Sequence, residues 1–175
     1  MYKKIELLTN LVMIIMAILI GVVLIKQYLF VDASGGDGRA VIKEVSAGSK
    51  ISMPGIDWEK NGKTLLLALA PGCHFCSESA PFYQRLVRET AAAPQTKLIG
   101  VFPTPDSDDK NYLKELGVEI NEVRQVSPGS IGVTGTPTLI LVNNLGVVTK
   151  VWIGQLQPAE EAEVLSELHE QCDCN

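Results

Sequence analysis

The chain has 175 residues, a net charge of -5 and a pI of about 5.1. That length holds one ordinary domain plus an extra segment, and such a domain buries a self-sufficient core without disulfide staples. No Lys/Arg cluster is present, so the electrostatic footprint of a nucleic-acid binder is missing and no nucleic-acid partner is expected.

Residues 11–25, LVMIIMAILIGVVLI, carry no charge, and Leu7, Leu8, Thr9 and Asn10 extend the run backwards. The stretch 7–25 thereby reaches the roughly 17 to 25 residues that a membrane helix requires. A cleaved signal peptide is the rival reading, because Val31-Asp32-Ala33 offers small residues to a signal peptidase. Against it stand the length of the run and the interposed Lys26, Gln27, Tyr28 and Phe30. The expectation is an uncleaved signal-anchor over 1–31, one N-terminal transmembrane helix. Lys3 and Lys4 before the span, against Lys26, Asp32 and Asp37 behind it, put the N-terminus in the cytoplasm. The remainder then lies on the extracytoplasmic (periplasmic) side of the inner (plasma) membrane, where dithiols oxidise and persist as disulfides. Setting 1–31 aside leaves 12 basic and 19 acidic side chains, an acidic domain that stands off from anionic headgroups. DASGGDG, 32–38, opens a flexible linker over 32–45.

No internal repeat interrupts 46–170, which reads as one domain. TLLLALA, 64–70, is a continuous apolar run between Gly62 and Pro71-Gly72, the pattern of a strand covered on both faces. Residues 74–92 read as a helix, with Phe75, Phe82 and Leu86 at helical spacing and a kink expected at Pro81. KLIGVF, 97–102, is a second buried strand. Ser107 then suits an N-cap, Asp108 and Asp109 a first turn, and Gly117 a helix end. VEINEV, from Val118, fits a third strand. Two β-rich runs flank Asn143-Asn144-Leu145-Gly146 as a hairpin, and Pro158 opens an acidic helix to about Glu170. The order predicts an α/β domain with a central mixed sheet and helices on both faces. Trp58 and Trp152 read as packing residues, with Trp58 also a candidate to line the approach to Cys73. Tyr83 reads as packing.

Of the four cysteines, Cys73 and Cys76 are spaced to meet within one helical turn, and Cys172 and Cys174 sit in the tail, 171–175. Cys73 falls where a strand ends and a helix begins, so free N–H groups and the helix dipole favour its thiolate. Cysteines in such settings have pKa values lowered from about 8.5 to between roughly 3.5 and 7.5. A protonated His74 would push the same way; a solvated helix residue is its plain alternative. All four cysteines are formally enough for a tetrahedral zinc site, although Cys-x-x-Cys with Cys-x-Cys is weaker spacing than two Cys-x-x-Cys knuckles. The tail pair fits a second redox pair feeding Cys76, or two exposed thiols with no role in turnover.

Cys73-His74-Phe75-Cys76, Pro81 five residues on, and Gly135-Thr136-Pro137-Thr138 much later resemble the thioredoxin superfamily. The resemblance covers about 46–170 and includes Gly146 and Gly154. The extra helix-strand unit over 108–123 and the N-terminal anchor make it more similar to the membrane-anchored TlpA-like, or redoxin, branch. It implies a thioredoxin-like fold, Cys73 as nucleophile, Cys76 as resolving cysteine, and Pro137 in a cis peptide bond. Thr136 before that proline would pair its backbone with a bound substrate strand. The pattern also has departures. Gly72 stands where a tryptophan commonly precedes the first cysteine, and Leu67 where small thioredoxins bury an aspartate. Ser79 replaces the glutamate common in TlpA-like proteins, with Glu78 one position off and on another side of the helix. The threonine that peroxiredoxins carry three residues before the cysteine is missing, which disfavours peroxide reduction.

The implied activity is thiol-disulfide exchange on protein disulfides with no cofactor and no metal, in the reductase direction, with a membrane electron donor or acceptor as further partner. A dithiol oxidase, a domain built on a structural four-cysteine zinc site and a binding module that keeps the fold without the chemistry are the alternatives.

Overall fold

The computed structural model describes residues 13, 14, 16, 44–103 and 108–170, and the chain divides into two units, 1–40 and 41–175. Met13, Ile14 and Met16 are helical and exposed. The rest of the expected anchor, the linker up to residue 43, Ser107 and the tail lie outside the described residues. Among the described residues no helix is long and apolar enough to cross a membrane.

In the second unit, the chain runs α1 (Trp58–Asn61), β1 (Lys63–Ala68), α2 (His74–Glu78), α3 (Ala80–Ala92), β2 (Thr96–Phe102), α4 (Asp109–Glu115), β3 (Glu122–Gln125), α5 (Pro128–Ile131), β4 (Thr138–Val142), β5 (Val148–Ile153) and α6 (Pro158–His169). The five strands form one sheet in the order β3-β2-β1-β4-β5, with β1, β2 and β3 parallel and β4 and β5 antiparallel to their neighbours. This is the mixed sheet expected from the element order.

β1 is central and every residue in it is buried, which accounts for its unbroken apolar run. Leu65, Leu67 and Leu69 face a cluster with Phe82, Tyr83 and Leu86 of α3, Tyr112 and Leu113 of α4, and Val164 and Leu168 of α6. Leu66 and Ala68 face the opposite cluster, with Val45, Ile51, Met53, Ile131 and Val133. Three helices therefore cover one face, whereas the other is covered by the segment leading into α1 and by one-turn helices. Val45, the last residue of the expected linker, is buried and its N–H donates to the Gly132 carbonyl at 2.9 Å, so it packs as part of the domain.

Three boundaries differ from the sequence expectation. The helix over 74–92 is broken at Ser79 into α2 and α3, because Pro81 at the second position of α3 has no N–H to donate and its ring crowds the carbonyl four residues back. The N-cap of α4 is Asp108, whose carboxylate accepts from the Asn111 N–H, rather than Ser107. The third strand begins at Glu122 rather than Val118, because the Val118 N–H is used to bond the Leu113 carbonyl and close α4 beyond Gly117. Trp58 packs over Gly146 in the β4–β5 hairpin, and Val142 at that hairpin pairs with Thr64 at the start of β1. Cys73 follows the other end of β1, so Trp58 is a packing residue and does not line the approach to it.

Candidate active site

Pro71 and Gly72 turn the chain out of β1, with Gly72 at φ +79, a conformation that other residues adopt rarely. The turn leaves Cys73 as the N-cap of α2 with its backbone extended, and its sulfur accepts from the Cys76 N–H at 3.2 Å. Cys76 lies one turn on, with 5.2 Å between the Cα atoms, and the two form a disulfide. Their exposure is unequal: Cys73 is partly exposed, and Cys76 is fully buried in the cluster under α3. An incoming group can therefore reach only one of the sulfurs.

The second part of the site comes from the other side of the sheet's central strand. β4 pairs with β1 so that Thr138 lies opposite Ala68, which brings the loop before β4 to the end of β1 that carries Cys73. The Thr136–Pro137 bond is cis. The Thr136 carbonyl oxygen lies 3.3 Å from Cys73 Sγ, where it can accept from the thiol of the reduced form. The Thr138 hydroxyl donates to the Gly135 carbonyl at 2.8 Å, and the Gly154 N–H donates to the Pro137 carbonyl at 2.8 Å, so the loop is held at both ends. Pro137 is buried and Thr136 half-buried. Residues 63 positions apart thus converge on one sulfur.

His74 is exposed and its Nε2 lies 3.2 Å from the Glu78 carboxylate one turn along α2. That contact places Glu78 on the outer face of the helix, away from the face on which Cys76 is buried. Ser79 is buried and its hydroxyl donates to the Phe75 carbonyl at 2.8 Å. Leu67 is fully buried, so no carboxylate enters beneath the cysteines from β1. Phe75 is 54 % exposed, and Ile153, opposite Thr138 in the sheet, is 52 % exposed, leaving apolar surface on α2 and at the end of β5 near Pro137.

Cys172 and Cys174 lie outside the described residues, so their relation to Cys73 and Cys76, and the four-cysteine zinc alternative that needs them, are not observed. Among the described residues no group of three or more His, Cys, Asp or Glu side chains could hold a metal ion. A cleft of about 610 Å³ lined by Lys110, Lys114 and Glu119 lies along α4 and the β3 edge of the sheet, not at the central strand that presents Cys73.

The sheet order, the dithiol at the end of the central strand and the cis-proline loop facing it define a thioredoxin-like fold. Solved structures with the same fold include a thiol:disulfide interchange protein from Bacteroides sp., with a TM-score of 0.56 and 18% identity over 74% of this chain and 94% of that one. A thiol-disulfide isomerase from Corynebacterium glutamicum matches with a TM-score of 0.53 and 18% identity over 73% of this chain and 95% of that one. The thioredoxin domain of a thiol-disulfide oxidoreductase from Bacteroides vulgatus matches with a TM-score of 0.54 and 16% identity over 73% of this chain and all of that one (100%). No family model and no curated protein matches the chain.

Proposed function

We propose that the chain is a thiol-disulfide oxidoreductase that reduces protein disulfides through a Cys73/Cys76 dithiol-disulfide cycle. The observation that carries this reading is the asymmetry of the pair: Cys73 is reachable, accepts a backbone N–H, and faces the Thr136 carbonyl, while Cys76 is buried one turn behind it. The Cys73 thiolate attacks a protein disulfide to form a mixed disulfide, and Cys76 then attacks Cys73 and releases the reduced partner. The exposed Phe75 and Ile153 suit an apolar polypeptide segment laid across the site. Direction is a matter of potential, and such sites span about 150 mV, or about 7 kcal/mol for two electrons.

The neighbours named as interchange proteins, isomerases and oxidoreductases support the chemistry. The uncharged run at 11–25 supports a tether to the membrane with the domain on the outer side. Insulin reduction with dithiothreitol as electron source tests the activity: the wild type accelerates precipitation of the insulin chains and Cys73→Ser abolishes the acceleration. Full activity without Cys73, or none with it, rejects the reading. Capture of mixed disulfides by Cys76→Ser identifies the natural partners, since the resolving sulfur that would release them is gone.

A further inference from the structure

Two phenols are buried in the cluster that holds Cys76: the Tyr112 hydroxyl has no hydrogen-bond partner, and the Tyr83 hydroxyl lies against the Ser79 side chain without a well-formed hydrogen bond. Tyr83 is 1 % exposed and Tyr112 8 %. An orphaned buried hydroxyl costs roughly 1–3 kcal/mol, so a fold that keeps two of them close to one another calls for an explanation. Their position supplies it. Cys76, Ser79 and Tyr83 follow at i, i+3 and i+7, the spacing of one helix face. The ladder across the break at Ser79 stays helical enough to preserve that face, with the Ser79 N–H on the Phe75 carbonyl and the Tyr83 N–H on the Ser79 carbonyl. A helical tyrosine leans toward the N-terminus of its helix, here toward Ser79 and Cys76. Tyr83 meets the Ser79 side chain on that side, and Tyr112 approaches from α4.

In the disulfide form the Cys76 sulfur is bonded to Cys73 and offers the phenols little. Once the electron donor has reduced that bond and Cys73 holds a partner in a mixed disulfide, Cys76 must become a thiolate inside an apolar cluster, a site that by itself favours the thiol. We propose that Tyr83, positioned by Ser79 and seconded by Tyr112, supplies the hydroxyl donors that stabilise the Cys76 thiolate, a task in which no carboxylate among the described residues is seen to share. This inference rests on the dithiol cycle proposed above. In the step concerned, the proton of Cys76 has left to solvent. Its sulfur then forms a bond to Cys73 Sγ, the Cys73–partner S–S bond breaks, and the partner leaves as a thiolate that takes a proton from solvent. The phenols keep their own protons throughout: burial pushes Tyr83 up to about 12, so it donates and does not act as a base. The buried charged side chains among the described residues are engaged elsewhere, Lys63 with the carbonyls of Glu167 and Glu170 and Asp109 with the Gln125 amide, and the His74–Glu78 pair lies on the exposed face of α2.

The test is a titration that needs no substrate. In the full chain carrying Cys73→Ser, Cys172→Ser and Cys174→Ser, Cys76 is the only thiol left, and its ionisation is followed by the Cβ NMR shift of labelled cysteine against pH. Tyr83→Phe is expected to raise the Cys76 pKa by about one unit, a tenfold loss of thiolate at neutral pH. Tyr112→Phe is expected to raise it less, and the double variant more than either. The Cys73 pKa, measured in the matching Cys76→Ser chain, is expected to stay where it was. An unchanged Cys76 titration in the double variant overturns the proposal, as does an equal shift of Cys73 and Cys76, which would mark a general loosening of the fold. Failure of the insulin assay would instead reject the dithiol cycle and leave this titration standing.

Discussion

Three residues of spacing give the two sulfurs unlike surroundings, and the consequences separate by residue. Cys73→Ser removes the one sulfur of the Cys73–Cys76 pair that a substrate can reach, so turnover is expected to fall to background. Cys76→Ser leaves the first attack intact and stops release, so it is expected to accumulate one mixed disulfide per chain, visible as a mass shift reversed by dithiothreitol. Tyr83 adds a prediction about alkaline stability. Its folded pKa is near 12 against an ordinary value of 10.0, the cause being burial of the phenol. Below about pH 10 both folded and unfolded chains hold the proton and Tyr83 adds no pH dependence. Between about pH 10 and 12 the unfolded chain releases it and the folded one does not, so stability falls by up to about 1.4 kcal/mol per pH unit. Urea midpoints for Tyr83→Phe should lose that part of the alkaline decline; equal declines in both proteins would contradict it. At this scale Cys73 and Cys76 were legible from their spacing at the end of a strand, and Pro137 only through the resemblance to the thioredoxin superfamily. The sequence showed Tyr83 only as a packing residue and gave no sign of Tyr112, because a side chain brought in by α4 is joined to Cys76 by tertiary packing alone.

Elements were legible wherever burial and periodicity agree. β1 and β2 are covered on both faces and read as continuous apolar runs, and the hairpin is marked by Asn143 and Gly146, whose carbonyl and N–H close its turn with neighbours. The start of β3 was misplaced because Val118 and Ile120 alternate with the polar Glu119 and Asn121 as a strand would, yet Val118 spends its N–H on closing α4. Proline signalled the disturbance at 74–92, but a kink and a break differ only in whether neighbouring N–H groups find new acceptors. Gly146 gives the element-scale prediction. Its φ is +74, and a Cβ there would stand 2.9 Å from Trp58 Cδ1 and 3.3 Å from the Ile51 carbonyl. Gly146→Ala is therefore expected to destabilise the domain by about 1–3 kcal/mol, from the left-handed backbone and the crowded indole together. The hairpin lies at the end of β1 away from Cys73, so insulin reduction at room temperature should be unchanged while the chain remains folded. A parallel loss of activity and stability well below the melting transition would show that the two ends of the sheet are coupled.

For the whole molecule the decisive relation is between the dithiol and the end of α6. The Gly154 N–H bonds the Pro137 carbonyl beside the dithiol, and α6 then carries the chain to the other end of the sheet. There the Thr96 hydroxyl and the Gln95 amide donate to the Leu168 carbonyl, and Lys63 Nζ donates to the carbonyls of Glu167 and Glu170 at 2.8 and 2.6 Å. Lys63 and Thr96 are partners at the start of β1 and β2, whereas Cys73 follows the end of β1. From Lys63 to Ala70 a strand extends about 23 Å. Cys172 and Cys174 follow that end of α6 and lie outside the described residues, so truncation is the test of the redox role expected for them. If the tail pair has no role in turnover, removing residues 171–175 leaves the single-turnover rate of the Cys73–Cys76 cycle unchanged at every protein concentration. If the tail exchanges with a second copy, the intact chain should differ from the truncated one in proportion to protein concentration. A concentration-independent loss on truncation would mean that Cys172 and Cys174 feed the Cys73–Cys76 pair of their own chain.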